Sequence, residues 1–376
     1  MPDVVVCGAG PAGSIAALVL ARAGARVRII DRARFPRDKL CGDTVNPGAM
    51  AILSRLGLRA ATAGGLPIDG MLVTGDSGIR CVGRYASGAR GIALRRATLD
   101  AALLDAAVRA GAVFEERVLV RDPIVDSGRV RGVVVAGPNG MSRTLASAMV
   151  IAADGGSSRL ARALGLSRHA ARPRRWAVGA YFEDVSGFAD GARLGEMHVR
   201  PGRYVGVAPM PGGITNACVV TSDRRALRNP GALLRETLDH DALLADRFSG
   251  ARMVTRPVCL GPLAVQEAGC GVPGLLLAGD AAGFIDPMTG DGLRFAFRGA
   301  ELAAETALSA MDRGSLDAPA TLSRLRRQEF GAKWRFNRTL RAVAESPIAV
   351  RVAAVGARWS PSLLARVIRY AGDEAR

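Results

Sequence analysis

Apolar and polar positions follow a few distinct rhythms along this chain, and each rhythm predicts an element. Residues 3–7, DVVVC, are a short unbroken apolar run, the pattern of a strand buried on both faces. GAGPAG follows at 8–13, and SIAALVLARAG at 14–24 predicts a helix ending at Gly24. ARVRIIDR at 25–32 predicts a second strand closing at Asp31, so the chain opens on a strand–helix–strand unit. Residues 93–112, ALRRATLDAALLDAAVRAGA, space their apolar positions by three and four and predict another helix. VLVRDPIVDSGRVRGVVVAG at 118–137 predicts strands around a Ser-Gly turn at 127 and 128.

SAMVIAADGGSSRLARALG at 147–165 returns to strand, turn, helix. From about 174 to 270 the texture changes to short alternating strands such as GEMHVR, RYVGVAPM and ITNACVVTS, with one helix near 231–247. Residues 274–308 go back to strand, turn, helix, and helices follow from about 318. One kind of domain is thus visited at the start, the middle and near the end. The expected division is a discontinuous domain over 1–173 and 271–317 with short sheet excursions around 66–92, a sheet-rich insertion over 174–270, and a helical segment over 318–376.

A length of 376 residues allows domains with sizeable cores. The net charge is +17, and the basic residues are arginines except for Lys39 and Lys333. The arginines are scattered, with no compact basic run interleaved with aromatics, so nucleic acid is not an expected partner. An anionic cofactor or a negative membrane surface explains part of the charge better. The six cysteines (7, 41, 81, 218, 259 and 270) include no CxxC spacing, which fits a reduced, cytoplasmic setting. His169, His198 and His240 offer no metal spacing, and no metal is expected. The chain opens on a strand, so no signal peptide is expected, and no apolar run approaches the ~20 residues of a spanning helix.

Gly8, Gly10 and Gly13, with Pro11 and Ala12 between them, form GxGxxG between a predicted strand and helix. The first glycine permits the tight turn, the second lets backbone approach a pyrophosphate, and the third lets helix and strand pack closely. The helix N-terminus then faces the phosphates with its N–H groups and positive dipole end. Asp31, followed by Arg32, stands where an acid would bind the ribose of an adenosine. AADGGSS at 152–158 and LLLAGDAAG at 275–283 each follow an apolar strand, and Asp154 and Asp280 could serve there as simple helix caps. PMTGDGL at 287–293 opens a further helix close by, and two helix N-termini so near each other can serve two electron-rich parts of one long cofactor. FPRDKLCGD at 35–43 packs Arg37, Lys39, a lone Cys41 and Asp43 into one loop, a mixture a plain connection does not need.

In this order GxGxxG, the terminal acid, RATLD at 96–100, ADG at 153–155, AGDAAG at 278–283 and PMTGDG at 287–292 resemble the FAD-dependent oxidoreductases of the para-hydroxybenzoate hydroxylase superfamily, over residues 3 to about 310. FPRDKLCGD and GDGLRFAFRGAELAAE are most similar to its geranylgeranyl reductase-like branch. The resemblance implies an α/β fold: a Rossmann-type FAD-binding domain with an inserted antiparallel-sheet substrate domain and C-terminal helices. It implies that Gly8, Gly10, Pro11, Ala12 and Gly13 hold the pyrophosphate and that Asp31 and Arg32 lie at the adenosine ribose. Arg37, Lys39 and Arg96 would run along the phosphates, the ribityl chain and the reduced ring. Asp154 would serve FAD and nicotinamide nucleotide, and Gly279 and Asp280 the ribityl chain. The turn Gly290-Asp291-Gly292 would point backbone N–H groups at the pyrimidine edge, where a helix-end dipole stabilises an anionic reduced flavin.

The loop at 35–50 is then expected to wrap the flavin, with Cys41, Asp43 and Asp291 as the candidates for a proton donor. Cys41 reads either as a reactive neighbour of ring or substrate or as a small packing residue. Tyr204, Val207 and Pro209 of YVGVAP are expected to face the substrate. Prenyl reductases of this branch carry YxWxFP there and flavin halogenases WxWxIP, whereas this chain has Gly206 and Ala208 at the aromatic sites. That departure favours a monooxygenase, which hydroxylates an apolar, aromatic or polyketide-like substrate with O2 through a flavin C4a-hydroperoxide. The alternative is a reductase adding hydride to a C=C bond; a non-catalytic flavin carrier is the remote one. NADPH or NADH is the expected reductant, visiting transiently because no second GxGxxG exists. The basic, aromatic tail at 332–370 reads either as a cover for the substrate domain or as a membrane-surface helix, with Pro347 and Pro361 interrupting any long face.

Overall fold

The computed structural model describes residues 1–76, 78–86, 88–169, 175–187, 193–284, 287–345 and 361–372. Its first layer is a six-stranded sheet in the order Gly271–Val272, Leu275–Leu277, Met149–Ala152, Val4–Cys7, Val27–Ile30, Val113–Glu115. All pairings are parallel except the antiparallel edge Gly271–Val272. Val4–Cys7 and Met149–Ala152 are buried throughout, as their unbroken apolar runs require. From Val4–Cys7 the chain goes to Val27–Ile30 on one side, and Met149–Ala152 pairs on the other. The order therefore reverses there, which opens a crevice at the carboxyl ends of these strands.

The first helix is Pro11–Arg22, three residues earlier at its start than the apolar rhythm predicts, with Pro at the opening position. Proline has the helical φ preset and lacks the N–H that would be orphaned in that turn. The helix expected over 93–112 is Arg96–Arg109. Residues before it form the strand Gly91–Ala93, which pairs with Thr44–Val45 and Leu66–Ile68. The single helix expected near 231–247 is two, Pro230–Asp239 and Ala245–Phe248.

The second layer is an eight-stranded sheet running Arg252–Met253, Trp176–Glu183, Thr215–Thr221, Arg203–Pro209, Leu194–Arg200, Gly70–Thr74, Arg80–Arg84, with Val258–Leu260 also paired to Trp176–Glu183. It is antiparallel except where Leu194–Arg200 meets Gly70–Thr74, Leu194 opposite Gly70. Residues 70–84, expected as an excursion of the first domain, are thus strands of the second sheet. Pairing between segments this far apart in sequence leaves no local signature.

The long helices Gly292–Arg313 and Ala318–Glu345 follow, and Pro361–Ala371 closes the described chain. This last helix lies on the strand Arg80–Arg84: a Cβ on Gly83 would sit 2.4 Å from Ile368. Pro361 starts the helix rather than breaking it, while Pro347 and Trp359 lie outside the described residues. Among the described residues no helix is long and apolar enough to cross a membrane.

Candidate functional site

The crevice between the two sheets is a continuous cavity of about 970 Å³. Its polar end begins at Gly8 and Gly10, Pro11 and Ala12, Asp31 and Arg32. Each glycine here has a separate steric reason. Gly8 has φ +103, and a Cβ on it would stand 2.5 Å from the Ala153 carbonyl oxygen. A Cβ on Gly13 would stand 1.8 Å from the Gly8 carbonyl oxygen, so Gly13 works from behind the turn and does not line the cavity. Over Gly10 the nearest atom is Arg37 Nη2 at 3.2 Å. A cradle is left between a helix N-terminus and a guanidinium, the environment a pyrophosphate requires.

Asp31 accepts from Ala9 N and Ala33 N, both at 2.8 Å, so it also clamps the glycine turn. Each carboxylate oxygen has a second lone pair for a ribose hydroxyl. Lys39 lies 3.9 Å from Asp280, and both line the middle of the cavity with Gly279, Gly290 and Gly292. Asp154 lines it too, and its buried Oδ1 has no hydrogen-bond partner among the described residues. Burial pushes this carboxyl up, against hydrogen bonds from Ser158 and the Arg159 N–H. Such an orphaned acceptor suits a hydroxyl of a long, phosphate-bearing ligand such as FAD.

Deeper in, Arg96 is 5% exposed and makes a two-pronged pair with Asp100 at 2.7 and 2.8 Å. Asp100 also holds Arg37 at 3.2 Å. The Arg96 guanidinium also lies near enough to the Cys41 thiol for their charges to act on each other. Cys41 lines the cavity together with Cys218, whose thiol is pushed up to about 12 by burial and by Cys41 and Asp43 nearby.

Two of the three candidate proton donors sit elsewhere. Asp43 is 1% exposed and does not line the cavity. It occupies a left-handed turn at φ +54, takes hydrogen bonds at 2.5 Å from both the Tyr181 hydroxyl and Asn216 Nδ2, and is pushed up to about 6 by burial. Asn216 also donates to the Cys41 carbonyl at 2.8 Å, so Asp43 anchors the Cys41 loop from beneath. Asp291 is likewise off the cavity wall: its carboxylate turns away to Lys333 at 3.3 Å, with Asn46 at 3.2 Å and Asn337 at 3.3 Å. The expectation that these two acids face the reacting ring is corrected accordingly; burial leaves each satisfied inside the protein.

The other end of the cavity is apolar: Met71, Val73, Met197, Val199, Leu340 and Ile368 are among its walls. Strand parity decides who faces it. On Arg203–Pro209, Val205 and Val207 pack on the far side against Leu233 and Leu234, whereas Tyr204 joins the cluster of Ala177, Val220 and Leu263 on the cavity side. Gly206, Val207 and Ala208 are the cavity-lining residues of this strand; Tyr204 and Pro209 do not line it, and Val207 presents only the part its packed side chain leaves free. A Cβ on Gly206 would meet only the Cys218 carbonyl at 3.9 Å.

Sequence reasoning missed Asn216, Tyr181, Met71 and Val73, while the reading of the tail as a cover for the substrate domain is met by the last helix, which lies on Arg80–Arg84 and lines the cavity with Val367 and Ile368. The alternation of GMLVT was a usable strand signal; nothing local marked the others. Behind the sheet lies a further buried network. Glu196 is held by Arg247 at 2.7 and 3.0 Å and by His198 at 2.9 Å, and His198 by Thr74 at 2.9 Å. Burial would raise the Glu196 carboxyl, but these partners hold it below its ordinary range.

Comparison with known proteins agrees with this layout. The FAD binding domain family model matches residues 1–317. Menaquinone reductase of Mycolicibacterium smegmatis is 31% identical over 99% of this chain and 91% of its own length. Digeranylgeranylglycerophospholipid reductase 1 of Methanopyrus kandleri is 33% identical over 84% of this chain and 83% of its own. Among solved structures, a flavin-dependent brominase superposes with TM-score 0.86 at 23% identity, covering 99% of this chain and 93% of the brominase. A geranylgeranyl bacteriochlorophyll reductase-like protein of Thermoplasma acidophilum does so with TM-score 0.80 at 22%, covering 100% and 92%. At these identities the structural likeness establishes the fold. With a glycine turn, a buried arginine–aspartate pair and an apolar chamber joined in one crevice, the chain belongs to the FAD-binding-domain family of FAD-dependent oxidoreductases.

Proposed function

We propose that this oxidoreductase reduces a carbon–carbon double bond of an apolar, isoprenoid-type substrate, with NADPH or NADH as the source of electrons. The observation that carries the reading is that one cavity is lined by polar groups such as Gly8, Asp31 and Asp280 and by apolar ones such as Met71, Met197 and Ile368, with Cys41 near both Arg96 and Cys218, the latter packed with Met197 and Val199. The relatives' names, reductases of menaquinone and of a digeranylgeranyl lipid, support it. Bound and reduced, FAD supplies a hydride to one alkene carbon. The Cys41 thiol gives the proton to the other, and the Arg96 guanidinium beside it balances the charge left on sulfur. The apolar walls exclude water from the alkene.

Replacing Cys41 by Ala should lower turnover of a tetraprenyl substrate about a hundredfold, the usual size of a general-acid contribution, while FAD content stays unchanged. Full turnover in C41A would remove Cys41 from the reaction. Gly206 and Ala208 favour hydroxylation as a second reading, since the aromatic sites of prenyl reductases are open here. The two part under anaerobic conditions: a pre-reduced enzyme that saturates its substrate without O2 is a reductase, and one that forms oxygenated product only with O2 is a monooxygenase.

Gly206→Trp should place its ring in the chamber, because Gly206 lines the cavity and a Cβ there meets only the Cys218 carbonyl at 3.9 Å. Half-saturation for a long-chain substrate is expected to rise about tenfold or more, roughly 1.4 kcal/mol, with an unchanged melting temperature. Unchanged half-saturation would show that the chain lies elsewhere.

A further inference from the structure

Lys333 is one of two lysines in a chain otherwise basic through arginine, and its side chain is 4% exposed. Its ammonium reaches acceptors on both sides of the cavity. On the cofactor side it is 3.3 Å from Asp291, the residue between Gly290 and Gly292 on the cavity wall. On the substrate side it donates to the Ala371 carbonyl at 3.0 Å and to the Tyr370 carbonyl. Those carbonyls end the helix Pro361–Ala371, whose Val367, Ile368 and Ala371 line the apolar chamber. Tyr370 is also packed edge-on against Phe336, one turn along from Lys333, with ring centroids 4.8 Å apart.

The chemistry suits a compact cation. An ammonium has three donors, and Asp291 and the Tyr370 and Ala371 carbonyls offer it acceptors among the described residues. Burial pushes the Lys333 amine down, and the Asp291 carboxylate acts against that. Helix-ending carbonyls carry the negative end of the dipole, which favours a cation there. A planar guanidinium is larger and fixed in its fork, and does not fit this three-way site.

We propose that Lys333 is a positioning residue that ties the helix roofing the substrate chamber to the turn opening the cofactor-side helix, and so sets the space available to the substrate. The proposal rests on the reading of this cavity as the reaction site. Without the ammonium, the roof loses its tie to Asp291 and keeps Tyr370 on Phe336 and its contacts to the strand Arg80–Arg84, such as Ile368 on Gly83 and Arg369 Nε on the Arg84 carbonyl at 3.2 Å.

The test compares the FAD-loaded full chain with K333M. Hydrogen–deuterium exchange is followed over residues 361–372, and binding of a tetraprenyl alcohol is followed by the flavin absorbance shift. K333M is expected to keep its FAD, exchange faster over the roof helix and bind the alcohol about tenfold more weakly, roughly 1.4 kcal/mol. K333R should not restore either reading, and R366A, at an exposed position of the same helix, should leave the alcohol's half-saturation unchanged. Unchanged exchange and half-saturation in K333M would overturn the proposal, as would loss of FAD, which would make Lys333 a cofactor residue. If K333M does not accumulate folded, K333Q carries the same readings. A wild-type chain that shows no absorbance shift with the alcohol counts against the substrate reading, while the exchange result still decides the role of Lys333.

Discussion

Gly13→Ala should purify without flavin and melt well below the wild type. The added Cβ would lie 1.8 Å from the Gly8 carbonyl oxygen and 2.9 Å from its carbon. Neither atom belongs to a flexible side chain that could swing aside. Gly8 is itself fixed, with its N–H on the Ile30 carbonyl at 2.8 Å and the Ala153 backbone against its other face. The first helix would have to lift from the sheet, carrying its N-terminal N–H groups away from the cradle over Gly10. Overpacking costs about 1–3 kcal/mol where side chains can adjust; a backbone clash belongs at about 3 kcal/mol, the upper end of that range. Gly10→Ala is the matched contrast, since its Cβ first meets the flexible Arg37 side chain at 3.2 Å. It should fold and lose affinity for FAD alone. Thermal melts and flavin absorbance of both variants check this, and a G13A protein with full flavin content would refute the packing account.

The second large effect is a pH dependence set at Asp43. Its carboxyl is pushed up from 3.8 to about 6 because burial outweighs the hydrogen bonds from Tyr181 and Asn216 and the nearby Arg96. Between those values the folded chain holds a proton that the unfolded chain has released. Stability therefore falls as pH rises from about 4 to about 6 and is level above it, by about 3 kcal/mol for a shift of this size. The sign is opposite to that of a salt-bridged acid. Asp43→Asn has no charge to bury and should remove this slope, although its single amide oxygen can serve either the Arg96 backbone N–H, which donates to Asp43 Oδ1 at 3.3 Å, or the Tyr181 and Asn216 donors at Oδ2, and not both. Urea unfolding of both proteins across this pH window gives the difference directly. Parallel curves for wild type and D43N would mean that Asp43 stays ionised in the folded protein.

What the sequence determined by itself is the cofactor half. GxGxxG, the acid at Asp31 and the later ADG, AGDAAG and PMTGDG turns are local patterns, each fixed by steric or capping needs within a few residues. Their order along the chain was enough to imply a Rossmann-type sheet and FAD, and the structure puts Gly8, Asp31, Arg37, Arg96, Asp154 and Asp280 on one cavity. The tertiary structure alone decided which acids reach that cavity and what walls its other half. Asp43 and Asp291 share their loops with less buried neighbours, and packing against Tyr181, Asn216 and Lys333 turns their carboxylates inward. Gly70–Thr74 became a chamber wall by pairing with Leu194–Arg200, and Ile368 by settling on Gly83. Such choices depend on the burial gained between segments distant in sequence, and strand parity then turns one side chain to the chamber and the next away from it. A run such as YVGVAP therefore carries its spacing in the sequence but not its facing.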